Sequence, residues 1–139
     1  MNNMLKRGLD ICLKTLVLLL AILFVNIGVR WLIAPGDIAP DFGFALSQGL
    51  GLSSQIGDMT GYFLTLGSCL LIALISGRHY WYYPPMMLLG ITAIGRLVAW
   101  LVHNAAFAGA AIGGEVTIFL ILLFTSRRLP KIDETDENA

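Results

Sequence analysis

Charge is scarce in this chain. Only 13% of its 139 residues are Asp, Glu, Lys or Arg, against 57% hydrophobic, whereas a soluble domain carries about 25% charge. One small core cannot bury that apolar excess, so lipid is expected as a second solvent. The charges balance to a formal net of zero, which leaves no basic field for nucleic acid. Cysteine is also rare: Cys12 and Cys69 form no CxxC or zinc pattern. Their expected depths, one at a membrane boundary and one near mid-span, keep them from a disulfide. There is no P-loop, HExxH or GxSxG. Gly49-Leu50-Gly51 has part of the spacing of a dinucleotide loop, but no strand precedes it. No cofactor is expected, no residue is assigned as catalytic, and no repeat or low-complexity linker divides the chain.

What is present is a series of apolar runs. Lys6, Arg7 and Lys14 precede the run Leu16–Val29, the polarity of a signal peptide. The run is long for that role and no A-x-A site follows it, so an uncleaved first span over 11–33 is expected. Ala34-Pro35-Gly36-Asp37 stops it, because proline and glycine break helices. Residues 34–56 read as a long connection, rich in glycine and proline but carrying Phe42, Phe44, Leu46, Leu50 and Leu52. Those apolar residues lay it against the helices or the interface, with at most a short turn near 44–49. Span 2 is expected over 57–76, followed by the aromatic cluster Tyr80-Trp81-Tyr82-Tyr83 of a membrane boundary. Span 3 starts at Pro84-Pro85, since proline suits a first helical turn, and ends near His103. Span 4 follows a tight turn at 104–108 and covers 108–125. The expected fold is all-α: a polytopic membrane four-helix bundle, one four-span domain over 1–131, with a disordered acidic tail at 132–139.

Basic residues set the expected orientation. Lys6, Arg7, Lys14, Arg78, Arg127, Arg128 and Lys131 fall on one side if the spans alternate, leaving Arg30 and Arg96 within or at the end of spans. Asp37, Asp41 and Asp58 fall on the other side. Both termini are therefore expected to be cytoplasmic, in a multi-pass protein of the inner (plasma) membrane.

Arg96 stands inside the apolar stretch 85–102, where an arginine costs about 2.5–3.5 kcal/mol on insertion scales. At about 1.5 Å per residue, Arg96 lies roughly 18 Å from Pro84, and Glu115 lies roughly 18 Å from Arg127. Antiparallel spans 3 and 4 thus bring the two to one depth, where a carboxylate offsets the guanidinium and a bidentate pair is open to them. A structural ion pair that fixes packing is the plain alternative to a functional site. His103 follows Arg96 by two turns on the same face. Arg30 closes span 1 with Asn26 a turn below, and Asp58 opens span 2 with Tyr62, Thr65 and Cys69 continuing its face. Arg30, Asp58, Arg96, His103 and Glu115 make up the candidate polar cluster, with Arg30 and Asp58 placed to pair. The plain reading of Arg30 and Asp58 is as snorkelling or helix-capping residues, and of His103 as an end-of-helix histidine. Asp58, His103 and Glu115 have metal-ligand chemistry, but two arginines offset their charge and no metal is expected.

Ala108, Gly109, Ala110, Ala111, Gly113 and Gly114 crowd the start of span 4, and Gly109 with Gly113 forms a GxxxG. Close packing within the chain is the expected use, with a homodimer contact as the sharper alternative.

Four short motifs carry a resemblance: Ala34-Pro35 after span 1, Asp58 to Gly61 opening span 2, Gly95-Arg96-Leu97 in span 3 and Glu115-Val116 in span 4. Over roughly 20–125 the chain resembles an uncharacterised bacterial family of small four-span membrane proteins, known as a domain of unknown function. The resemblance implies the fold and a bacterial source, and no activity. A more distant likeness is to four-span sterol-isomerase-like and sigma-receptor-like proteins, which hold acidic residues in a lipid-accessible pocket; this chain has fewer intramembrane carboxylates.

Three functions are compatible with these residues. The first is an accessory bundle that binds membrane lipid, a membrane protein partner or another copy of itself. The second is a binder or carrier of a small amphiphile or anion, with Arg30, Arg96 and His103 at its polar end. The third is a lipid-modifying enzyme with Glu115 or Asp58 as base and His103 as acid.

Overall fold

The computed structural model describes residues 3–129. The acidic tail at 132–139 and Lys131 lie outside the described residues. All the regular structure among those described is helical, with no strand. Four helices dominate: α1 (Asn3–Ile33), α2 (Leu50–Ser76), α3 (Tyr83–Val102) and α4 (Gly109–Arg128). Each, α3 together with the turn before it, is long and apolar enough to cross a membrane.

The helix ends follow from local chemistry. α1 runs out at Ala34-Pro35, and the Ala34 N–H closes its last turn on the Arg30 carbonyl at 2.8 Å. Two single helical turns follow, Pro35–Ile38 and Ala39–Phe42, each with a proline in its first two positions. Gly43 ends them with φ 72°, a left-handed conformation that favours glycine. The turn considered near 44–49 is not there; the helical turns come earlier, where Pro35 and Pro40 fix φ for them. Gly77 ends α2 in the left-handed conformation (φ 66°), its N–H donating to the Ala73 carbonyl at 3.0 Å. Asn104, at φ 54°, turns the chain after α3, a conformation asparagine tolerates.

Three helices extend beyond the expected bounds. α1 begins by Asn3 instead of Ile11, α4 continues to Arg128, and α2 starts at Leu50 instead of Gly57. The last shift matters most. Gly57 costs the helix interior about 1 kcal/mol, yet the helix, which opens at Leu50-Gly51, continues through it. Gln55 contributes a tie: its Oε1 accepts from the Ser47 N–H at 2.8 Å and its Nε2 donates to the Ala45 carbonyl at 3.1 Å. The early turns of α2 thereby hold the connection that leads into it.

α1 and α2 pack most closely. A Cβ on Gly67 would fall 2.6 Å from Val25 Cγ2 and 2.9 Å from the Ala21 carbonyl oxygen, and one on Gly28 would fall 2.8 Å from Leu64. These glycines let the backbones approach. Val17, Ala21 and Phe24 bury against Leu66, Leu70 and Ala73. Fully buried Trp31 sits under the connection, with Phe42 and Phe44 ring centroids each 6.0 Å away. Its indole N–H has no partner among the described residues, a cost of about 1–3 kcal/mol set against burial of the whole ring. α3 and α4 form the second close pair, joined to the first through Leu89, Tyr82 and Leu122 in the shared core.

The expected role of the α4 glycines is overturned. A Cβ on Gly113 or Gly114 meets nothing within 4 Å, and one on Gly109 meets only neighbouring Phe107. Close approach within the chain comes from Gly28 and Gly67, which show no GxxxG spacing.

Candidate functional site

Between the α1–α2 and α3–α4 pairs, toward the end carrying the 34–49 connection, lies a cavity of about 700 Å³. All four helices and the connection line it. Its size falls in the ~300–1,000 Å³ range of small-molecule pockets. The walls are mostly apolar, from Phe24, Ile27, Phe63, Leu66, Leu89 and Ile118, with Phe42 and Phe44 contributed by the connection.

Arg96 and Glu115 meet on this wall. Arg96 Nε donates to Glu115 Oε1 at 2.8 Å, with 38% of the arginine side chain and 12% of the glutamate side chain exposed. The pair is single-point and not bidentate. Glu115 Oε2 is buried with no hydrogen-bond partner among the described residues. One turn before Arg96, the Thr92 hydroxyl is hydrogen-bonded to the Tyr62 hydroxyl at 3.1 Å, tying α3 to α2 across the cavity. Thr92 Oγ1 also lies 2.8 Å from the Leu88 carbonyl oxygen.

Asp58 lines the cavity and is exposed. It does not pair with Arg30, which makes no hydrogen bond or ion pair among the described residues. The reason is register. Gly28 abuts Leu64, and Gly67 abuts Val25, so Arg30 is level with Tyr62. Asp58, now inside α2, is level with Ala34, roughly 6 Å further along. His103 is the exposed residue that ends α3 and is not on the cavity wall. The five-residue cluster is thus divided: Asp58, Arg96 and Glu115 share the cavity, while Arg30 and His103 lie elsewhere. No group of three or more His, Cys, Asp or Glu among the described residues is placed to hold a metal.

Sequence reasoning missed Asp41 and Thr92 as cavity residues. Asp41 sits in a connection whose helical turns were not foreseen, and a threonine in an apolar span is an unremarkable sequence feature. It also missed the ion pair at the opposite end, Arg128 Nε to Asp10 Oδ1 at 3.0 Å, which ties α4 to α1.

Comparison with protein-family models, with curated proteins and with solved structures gives no match.

Proposed function

We propose that this chain is a non-enzymatic, multi-pass membrane bundle that holds a small amphiphile in the cavity between its helix pairs. The observation that carries this reading is the cavity itself: an apolar chamber of about 700 Å³ with polar groups gathered along part of its wall. The tail of the ligand lies against Phe24, Leu66 and Leu89, and its polar end lies toward Asp58, Arg96 and Glu115. Both termini are cytoplasmic and the 34–49 connection faces outward, in a bacterial inner membrane. An enzymatic reading with His103 as acid is less favoured, since His103 is not among the residues lining the wall that carries Asp58 and Glu115.

Native mass spectrometry from mild detergent tests the proposal. Protein purified from its membrane retains lipid-like mass, and Ala111→Trp, which fills the cavity from α4, releases it while helical content is unchanged. Retention undiminished by the filled cavity would place the bound molecule on the outer surface and end the proposal.

A second reading rests on the open face of α4. Gly113 and, on α3, Gly95 have free space where a Cβ would stand, as a self-association or partner face would. The same spectra report it as a dimer mass.

A further inference from the structure

The charges around the cavity do not balance. Asp41, Asp58 and Glu115 line it, against Arg96 as the one cation among its lining residues. Arg96 is engaged by Glu115 at 2.8 Å. That leaves Asp41, on the connection, and Asp58, on α2, with no hydrogen-bond or salt-bridge partner among the described residues. Both are exposed, at the end of the helices that carries the connection. A ligand that fills the cavity removes water from them, and an unpaired carboxylate is then costly.

Aromatic rings line the same cavity as these carboxylates. The Phe42 ring packs edge-on to Phe63 at 5.3 Å, and Tyr62 packs edge-on to Phe63 at 5.1 Å. Phe44 joins them on the wall. Ring faces attract an organic cation, most strongly where water is excluded. Carboxylates and rings that line one apolar chamber match an ammonium group on a hydrophobic body. They repel a carboxylate or sulfate head, and give a hydroxyl head no charge to offset. No group of three or more His, Cys, Asp or Glu among the described residues gathers there, so the apolar chamber and rings favour an organic cation over a metal ion.

We propose that the cavity selects a cationic amphiphile, its ammonium end between Asp41 and Asp58 and its apolar body directed toward Leu66 and Leu89. This rests on the amphiphile-binding reading above and adds the chemistry of the head group. It also reverses the expectation of an anion held by Arg30, Arg96 and His103.

The test uses four ligands of one chain length added to the full-length protein in neutral maltoside detergent: decyltrimethylammonium, decylphosphocholine, decanoate and decanol. Thermal melting gives the mole fraction at which each half-stabilises the fold. Decyltrimethylammonium is expected to act at a mole fraction at least about tenfold below decanoate and decanol. The Asp41→Asn/Asp58→Asn variant loses that preference but still responds to decanol, and each single variant loses part of it. Decylphosphocholine matching decyltrimethylammonium supports the proposal with a lipid head group as the source; a weaker response supports it with a free amine. A response to decanol or decanoate as strong as that to decyltrimethylammonium overturns the cation while leaving an amphiphile site. A preference that survives the double variant also overturns it. If Ala111→Trp leaves all four responses unchanged, the cavity binds none of them and both readings fall.

Discussion

Arg96 binds Glu115 through one oxygen, Oε1 at 2.8 Å, and leaves Oε2 of the same carboxylate buried and unpartnered among the described residues. The two ends of the pair therefore differ in what their loss costs. Arg96→Ala strands a mostly buried carboxylate, whereas Glu115→Ala leaves an arginine that is 38% exposed and free to turn to water or a head group. Breaking a fully buried pair costs about 3–5 kcal/mol; the partial exposure here lowers that to about 1–3 kcal/mol for Arg96→Ala, and less for Glu115→Ala. Replacing both by Arg96→Met and Glu115→Leu restores most of the loss, because no unpaired charge remains. Reversible unfolding in mixed micelles, run as a double-mutant cycle, checks this. Equal and additive losses would show that the two side chains do not depend on each other.

Close-packed Gly67 and the open glycines Gly95 and Gly113 predict opposite outcomes. Gly67→Ala places a methyl 2.6 Å from Val25 Cγ2 and 2.9 Å from the Ala21 carbonyl oxygen. Backbone cannot yield there as a flexible side chain can, so a loss of about 1–3 kcal/mol is expected. Gly113→Ala and Gly95→Ala meet nothing, and replacing glycine in a helix interior gains about 0.5–1 kcal/mol. Melting temperatures of the purified variants decide the matter. A loss at Gly113 would mean that α4 meets a second molecule on that face.

The four apolar helices were legible in the sequence because hydropathy over 18 or more residues is a strong signal, and Pro35 and the Pro84-Pro85 pair marked where helices break or begin. The meeting of Arg96 and Glu115 was legible through depth arithmetic, since α3 and α4 are adjacent, antiparallel and joined by a short turn. That arithmetic fixed height but not azimuth, so it offered a bidentate pair where a single contact exists. Arg30 and Asp58 were misjudged for a different reason. Their relative height depends on where α2 begins, and glycines at 49, 51 and 57 hid that start. The packing glycines, Gly28 and Gly67, carry no motif at all; their role appears only when α1 and α2 are seen together.

Gln55 is the tie between the connection and α2, and its removal tests how firmly the two are held together. Gln55→Ala deletes the acceptor for the Ser47 N–H and the donor to the Ala45 carbonyl. Each such bond contributes about 0.5–1.5 kcal/mol, so global stability drops modestly. The local effect is larger in kind: backbone amides over 44–48 exchange faster with deuterium, while those of Phe42 and Ile38, held under packing on Trp31, do not. Exchange measured by mass spectrometry with peptide resolution reads both regions. Equal acceleration in the two would mean that the connection opens as one piece, hinged elsewhere than at Gln55.

The side of the membrane onto which the cavity opens depends on orientation, and single cysteines report it. With Cys12 and Cys69 replaced by Ala, a membrane-impermeant maleimide has only an introduced thiol to find. Gln48→Cys, exposed on the connection, is expected to label on intact cells; Lys6→Cys, exposed near the start of α1, labels only after permeabilisation. The physical basis is the bias of Lys6, Arg7, Lys14, Arg78, Arg127 and Arg128 to one end, with Asp37, Asp41 and Asp58 toward the other. The cavity shares the end that carries Asp41 and Asp58. Outward labelling at Gln48 thus assigns the acidic mouth to the outer leaflet, where an amphiphile arriving from outside meets it first. The reverse pattern would turn the mouth to the cytoplasm and make the ligand one supplied from within the cell.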